Sequence, residues 1–171
     1  VIPIDRRVMH VIPQSYIVDD QRGIIDPHNV IGVRIEAEVH IITGSVTCIK
    51  NIVDCVKRAN LQVDAPMYHG LAAVESVMTQ EEQELGSVLI DIGGGTTDIV
   101  VMSGGAPVLT TVLPVGGSHA TKDLAIVKGL STETAEKVKI TDGCCWQPLM
   151  DDNKSVLISA PGGRTPIQIE K

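Results

Sequence analysis

Two apolar runs rich in β-branched residues dominate the middle of the chain, and a short stretch of glycine, threonine and aspartate separates them. The first run, residues 87–91, is apolar without alternation until Asp91, and the second covers residues 99–102. Apolar runs of this length are typical of strands covered on both faces. The pattern therefore predicts two buried strands joined by a tight connection.

Alternation of apolar and polar residues predicts further strands before this pair. Residues 8–18 are strand-like but interrupted by Pro13, and the polar residues 19–23 predict a turn. Between residues 33 and 42 apolar positions alternate with charged ones and His40, which predicts a strand with one wet face. His40 belongs to the polar series and is expected at the surface.

Helical spacing of apolar residues predicts most of the other elements. One helix face repeats at Ile49, Ile52, Val53 and Val56, and residues 67–78 form a second amphipathic segment that the polar residues 79–86 connect to the central strands. Further along, the pattern predicts a strand at 107–114, a helix at 119–127, a helix capped by Ser131 or Thr132, a strand at 156–159 and a turn at 161–164.

The connection between the two central strands has the composition of an anion-binding loop. Its glycines lack a Cβ, so they can adopt positive φ and bring backbone N–H groups close to a phosphate, while the two hydroxyls add donors and Asp91 is placed to orient water or hydrated Mg²⁺. The candidate residues are Gly93, Gly94, Gly95, Thr96 and Thr97. A plain hairpin with a glycine turn is the alternative. The lysine of a P-loop and the helix of a dinucleotide fingerprint do not follow these glycines.

Composition and charge exclude some classes of partner. The net charge is −7, and only three of the 171 residues are aromatic. Phosphate-backbone binding and base stacking are therefore not expected, so nucleic acid is not a predicted partner. The chain has no apolar run of about 18 residues, the length needed to span a bilayer.

With the loop, the Gly116-Gly117 turn and the Glu136-x-x-Lys139 pair in this order, the chain resembles the actin/Hsp70/sugar-kinase ATPase superfamily. Segments over nearly the whole chain are most similar to the FtsA family of bacterial cell-division proteins, and only the last 25 or so residues resemble it weakly. These segments are 8–14, 32–34, 51–53, 79–86 and 135–139.

The resemblance implies an α/β fold, a fragment of the actin-like (ribonuclease H-like) ATPase fold with an FtsA-type inserted subdomain. Residues 1–66 would be most of that subdomain, residues 67–86 a connecting helix that completes the first lobe, and residues 87–171 the start of the second lobe. ATP would bind with Mg²⁺. Asp91 would act on the metal through water, and Gly93–Thr97 would hold the phosphates. Gly116 and Gly117 would lie near phosphate or ribose. Glu136 and Lys139 would reach ribose and adenine, and the alternative for these two residues is an ordinary surface ion pair.

The family also implies a function. Its members would polymerise on the cytoplasmic face of the inner membrane at the division site and link FtsZ to the membrane and to later division proteins, with slow or no ATP hydrolysis. Three alternatives remain: a pilus-assembly protein of the PilM kind, an actin-fold enzyme of the sugar-kinase or chaperone type, and, with little support, a hydrolase using Ser118 and His119.

Several parts of the family pattern do not occur in these residues. The first phosphate loop, the glycines that grip adenine and the membrane-binding amphipathic helix are all missing, and Gly162-Gly163 is expected to be a bare turn. The sequence is therefore expected to be an internal fragment. The 171 residues alone are expected to bind ATP very weakly or not at all.

Overall fold

The computed structural model describes residues 2–146, 155–158 and 167–170, which form a mixed α/β structure. In chain order the elements are β1 (Arg6–Val18), β2 (Gln21–Ile24), β3 (Ile35–Ser45), α1 (Val46–Arg58), α2 (His69–Val77), α3 (Gln80–Leu85), β4 (Ser87–Ile92), β5 (Thr97–Ser103), β6 (Ala106–Leu113), α4 (Gly117–Lys128), α5 (Thr132–Asp142), β7 (Ser155–Ile158) and β8 (Ile167–Glu170). The chain divides into two compact units, the first from residues 1–91 and 98–113 and the second from residues 92–97 and 114–171.

Strand β1 of the first unit is continuous through Pro13, so the predicted interruption is wrong. The strand order of its sheet is β2-β1-β3, and β2 pairs with β1 only at Tyr16 and Val18. At Pro13 the described sheet therefore has a neighbour on one side only, the position where proline is tolerated. The register with β3 shifts just after Pro13, as at a β-bulge. The predicted turn is confined to two residues, since β2 begins at Gln21.

Both side-chain series of β3 are exposed over residues 35–39, whereas a single solvent-exposed face was expected. Val39 and Ile41 are 38% and 48% exposed, whereas Ile42 is buried. His40 is half-buried, and its Nε2 lies 3.0 Å from the hydroxyl of Thr110 in β6. The prediction that His40 is a surface residue is therefore wrong, because its side chain contacts β6; Glu36 and Glu38 of the same polar series are exposed as expected.

Helices α1 and α2 confirm the two predicted amphipathic segments. The best-packed part of the first unit lies under α2, where Val74 meets Leu89, Val100 and Met102. Gly70 allows this approach, because a Cβ there would lie 2.9 Å from a methyl group of Val100. The start of α2 is thereby packed closely against β5.

The second sheet of the first unit has the order β4-β5-β6. Strand β5 alternates, with Val100 and Met102 buried. Strand β4 is less covered than predicted, since Val88 and Ile90 are 56% and 59% exposed while Leu89 is buried. The expectation of cover on both faces is therefore wrong for β4, which is the edge strand of the described sheet and has α2 packed on one face only.

The polar connection before β4 contains a short helix, α3, that periodicity did not predict. Thr79 and Glu82 form a reciprocal capping box in which the Thr79 hydroxyl accepts from Glu82 N at 3.3 Å and the Glu82 carboxylate accepts from Thr79 N at 2.8 Å. The T-x-x-E pattern is the sequence signal of this motif. A helix of six residues is too short for periodicity to reveal.

The second unit contains the glycine loop, α4 and α5, which pack against each other. The hydroxyl of Ser131 accepts from Thr134 N at 3.2 Å, so Ser131 caps α5. Strands β7 and β8 form an antiparallel pair, which confirms the strand predicted from residue 156. The predicted turn at 161–164 lies outside the described residues. Among the described residues, no helix combines the length and apolar character needed to cross a bilayer.

Candidate functional site

The glycine loop of the second unit is closed by one internal hydrogen bond. Gly93 N–H donates to the carbonyl of Thr96 at 2.8 Å. None of the three loop glycines adopts a positive φ, so the expected use of left-handed backbone is wrong. The close approach of a neighbouring backbone to this loop requires glycine at position 116 instead.

That neighbour is the start of α4. Gly117 N–H donates to the carbonyl of Gly93 at 3.0 Å, and Ser118 N–H donates to the carbonyl of Gly94 at 2.7 Å. A Cβ on Gly116 would lie 2.4 Å from the Gly93 oxygen and 2.7 Å from the Gly94 carbonyl. Only glycine at position 116 therefore lets α4 dock on the loop at this distance.

The docked helix sets the direction of the loop N–H groups. In a trans peptide the C=O and the following N–H point in opposite directions, and the described residues contain no cis peptide bond. Because the carbonyls of Gly93 and Gly94 point to α4, the N–H groups of Gly94 and Gly95 point away from it. In the described part of the chain, these two N–H groups have no backbone acceptor. A Cβ on Gly95 would meet nothing within 4 Å, so the space around this residue is open.

Glu136 and Lys139 lie on α5 and reach the start of α4. The Lys139 ammonium donates to the Gly117 carbonyl at 3.1 Å, to the Thr121 hydroxyl at 2.8 Å and to the Glu136 carboxylate at 2.8 Å. Thr121 also donates to Glu136. The hydrogen bonds from Lys139 and Thr121 lower the pKa of Glu136 below its usual value. Through Gly117, Lys139 also holds the start of α4, the helix that docks on the loop.

The hydroxyl of Thr97 is engaged within the unit, since it donates to the carbonyl of Val115 at 2.8 Å. His119 has a structural role at the start of α4, where its Nδ1 accepts from Gly116 N–H at 3.1 Å. Among the described contacts, no hydrogen bond joins the side chains of Ser118 and His119. The hydrolase hypothesis therefore gains no support.

Asp91 belongs to the first unit, next to the end of β4. Its side chain is 47% exposed, and one carboxylate oxygen lies 3.7 Å from Nε2 of His69 at the start of α2. The same Nε2 lies 3.1 Å from Asp98, a buried residue of β5 that also accepts from the Tyr68 hydroxyl at 2.9 Å. Burial and this hydrogen bond raise the pKa of Tyr68 far above its usual value.

The second unit brings together all the predicted nucleotide-binding residues except Asp91, which is described with the first unit. These are Gly93, Gly94, Gly95, Thr96, Thr97, Gly116, Gly117, Glu136 and Lys139. The sequence analysis missed Tyr68, His69 and Thr121. No local pattern could have found them, because their partners are about 15 to 30 residues away in the chain.

The half-exposed carboxylate of Asp91 suits a hydrated Mg²⁺, because this ion usually keeps several waters and takes one or two carboxylates. The two free N–H groups suit a phosphate, which backbone donors in a glycine loop bind without a basic side chain. The described residues are therefore compatible with both groups.

Two family models match the chain, both specific to the same family. "Cell division protein FtsA" matches residues 88–171, and "SHS2 domain inserted in FTSA" matches residues 1–43. Curated relatives described as cell division protein FtsA include those of Pseudomonas aeruginosa, 39% identical over 99% of the chain, and Escherichia coli K12, 42% identical over 98%. The chain spans 41% and 40% of the length of these two relatives.

Two solved structures share the fold. One is a PilM-PilN type IV pilus biogenesis complex, 20% identical, with a TM-score of 0.63; the match covers 82% of this chain and 39% of the matched chain. The other is MreB5 of Spiroplasma citri bound to ADP, 22% identical, with a TM-score of 0.53; the match covers 74% of this chain and 40% of the matched chain. This likeness confirms the predicted actin-like ATPase fold. Taken with the two family models, the fold and the curated relatives place the chain in the FtsA family of cell division proteins.

Proposed function

We propose that this chain supplies part of an ATP site in which the N–H groups of Gly94 and Gly95 hold the phosphates. The observation that supports this is the orientation of the two loop peptides, whose carbonyls are bonded to α4 and whose N–H groups are free. Gly116 and Gly117 hold the loop in this conformation. MreB5, which shares the fold, was solved with ADP.

The remaining site residues have supporting roles in this proposal. Asp91 orients Mg²⁺ through water, and Thr96 and Thr97 complete the phosphate loop. Glu136 and Lys139 reach the ribose and adenine while they anchor α4 through Gly117. ATP acts mainly as a conformational ligand, with hydrolysis slow or absent.

For the whole protein, we propose the role of an actin-like cell-division adaptor. It self-associates into polymers on the cytoplasmic face of the inner membrane and links FtsZ to the membrane and to later division proteins. Residues 1–66 belong to the inserted subdomain, 67–86 to the connection and 87–171 to the second lobe. FtsA relatives about 40% identical over nearly the whole chain support this role.

The Gly95→Ala variant tests the phosphate site directly. The added methyl group meets no protein atom within 4 Å and φ is not in the left-handed region, so the fold should tolerate it. A bound phosphate would meet that methyl group. We therefore expect ATP affinity, measured by calorimetry on a full-length FtsA protein that carries this segment, to fall about tenfold with unchanged thermal stability.

Gly104→Ala is the matched control. Gly104 also has open space around it, but its φ is +61°, so alanine there should cost stability without changing ATP affinity. If Gly95→Ala binds ATP as tightly as the wild type, the loop N–H groups do not hold the phosphates.

A further inference from the structure

A buried carboxylate in the first unit is held by two consecutive residues. Asp98 is only 2% exposed, and its two oxygens lie 2.9 Å from the Tyr68 hydroxyl and 3.1 Å from Nε2 of His69. A buried carboxylate without such partners would be strongly destabilising. Tyr68 and His69 therefore tie the start of α2 to strand β5.

The backbone at this point is also fixed. Tyr68 N–H donates to Nε2 of His10 at 3.0 Å, and Gly70 is in close contact with the Tyr68 ring and with Val100. The His69 ring is thus attached to a well-packed segment, and the 3.1 Å contact of its Nε2 with the Asp98 carboxylate fixes which side of the ring faces the carboxylates.

With Nε2 directed in this way, the ring also lies beside Asp91, whose nearer oxygen is 3.7 Å from it. Asp91 and Asp98 flank the glycine loop in sequence, one at each end. A single side chain therefore contacts the carboxylates on both sides of the loop.

We propose that His69 is a positioning residue that orients Asp91 for the nucleotide-bound Mg²⁺. This inference rests on the proposed ATP site. Its Nε2–H attracts one oxygen of Asp91 and leaves the other for a metal-bound water. Asp98 serves as the anchor that holds the imidazole in place.

The test compares ATP affinity with Mg²⁺ and with EDTA in a full-length FtsA protein that carries this segment. Loss of Asp91 orientation should affect only the gain in affinity that Mg²⁺ provides. We expect His69→Leu to reduce that gain about tenfold and to leave affinity in EDTA unchanged. His69→Gln, whose amide can place a donor near Nε2, should restore most of the gain.

His28→Leu is the matched control, because His28 also pairs with an aspartate, Asp26, but the pair is exposed. This variant should behave as the wild type. An unchanged magnesium-dependent gain in His69→Leu, an equal loss with and without Mg²⁺, or failure of His69→Gln to restore the gain would overturn the inference while leaving the proposed ATP site intact. A wild type that binds no ATP would instead overturn the proposed function.

A second measurement uses the wild type and does not depend on how a variant folds. Long-range ¹H–¹⁵N correlation on histidine-labelled protein identifies the tautomer of each neutral imidazole. We expect the Nε2–H tautomer for His69, because both carboxylates face that nitrogen. An Nδ1–H tautomer would overturn the inference.

Discussion

Gly116→Ala should disrupt the conformation of the glycine loop more than a methyl group added at any other position. The new Cβ would lie 2.4 Å from the Gly93 oxygen, about 0.6 Å inside the shortest distance that real Cβ contacts adopt. The atoms in conflict belong to backbone on both sides, so no side chain can move aside. The loop and the start of α4 must therefore separate.

This separation weakens the two hydrogen bonds that Gly117 and Ser118 donate to the loop, at 3.0 Å and 2.7 Å. At about 1 kcal/mol each, their loss lowers the free energy of unfolding by about 2 kcal/mol, a factor of about 30 in the equilibrium constant. Denaturant unfolding measures this quantity, and hydrogen exchange at the two amides should accelerate by a similar factor.

Gly129→Ala, at the other end of α4, is the control for this experiment. Its φ of +62° makes alanine cost about 1 kcal/mol, but no atom blocks the Cβ and the loop is not involved. If Gly116→Ala is no less stable than Gly129→Ala and the Gly117 and Ser118 amides exchange at the wild-type rate, the docking argument is wrong.

Two further predictions concern the helix ends. Thr79→Ala removes the capping box with Glu82 and should lower the free energy of unfolding by about 1 kcal/mol, whereas Thr79→Ser should be nearly neutral in thermal melts. Because the pKa of Glu136 is lowered by Lys139, the contact stabilises the fold above the usual pKa of 4.5 and is lost as pH falls through the lowered value. Glu136→Gln should therefore weaken the pH dependence of stability in acid, and an unchanged acid melting curve would contradict this.

Much of the fold followed from local pattern. The apolar spacing at Ile49, Ile52, Val53 and Val56 predicted α1, and the two central runs predicted β4 and β5, because these signals lie within a few residues of one another. Burial depends on tertiary packing, so the pattern could not reveal that His40 contacts Thr110 of β6 or that β4 is exposed on one face.

The candidate site shows the same division. The glycine triplet predicted a loop with free N–H groups, but it did not reveal what holds the loop in this conformation. The loop is held by the start of α4, which can approach only because residue 116, more than 20 residues later, is glycine. Tyr68 and His69 carry no motif, and their importance follows only from the buried position of Asp98.

The docking of α4 on the loop has a consequence for how this region can vary. Hydrogen bonds between main-chain atoms orient the proposed phosphate-binding N–H groups. Side chains such as that of Ser118 can therefore change with little effect on this orientation. The number of residues within the loop cannot change so freely, because an insertion or deletion there would change which peptide groups meet the N–H groups of Gly117 and Ser118. Variation in length, more than variation in side-chain identity, should abolish the site.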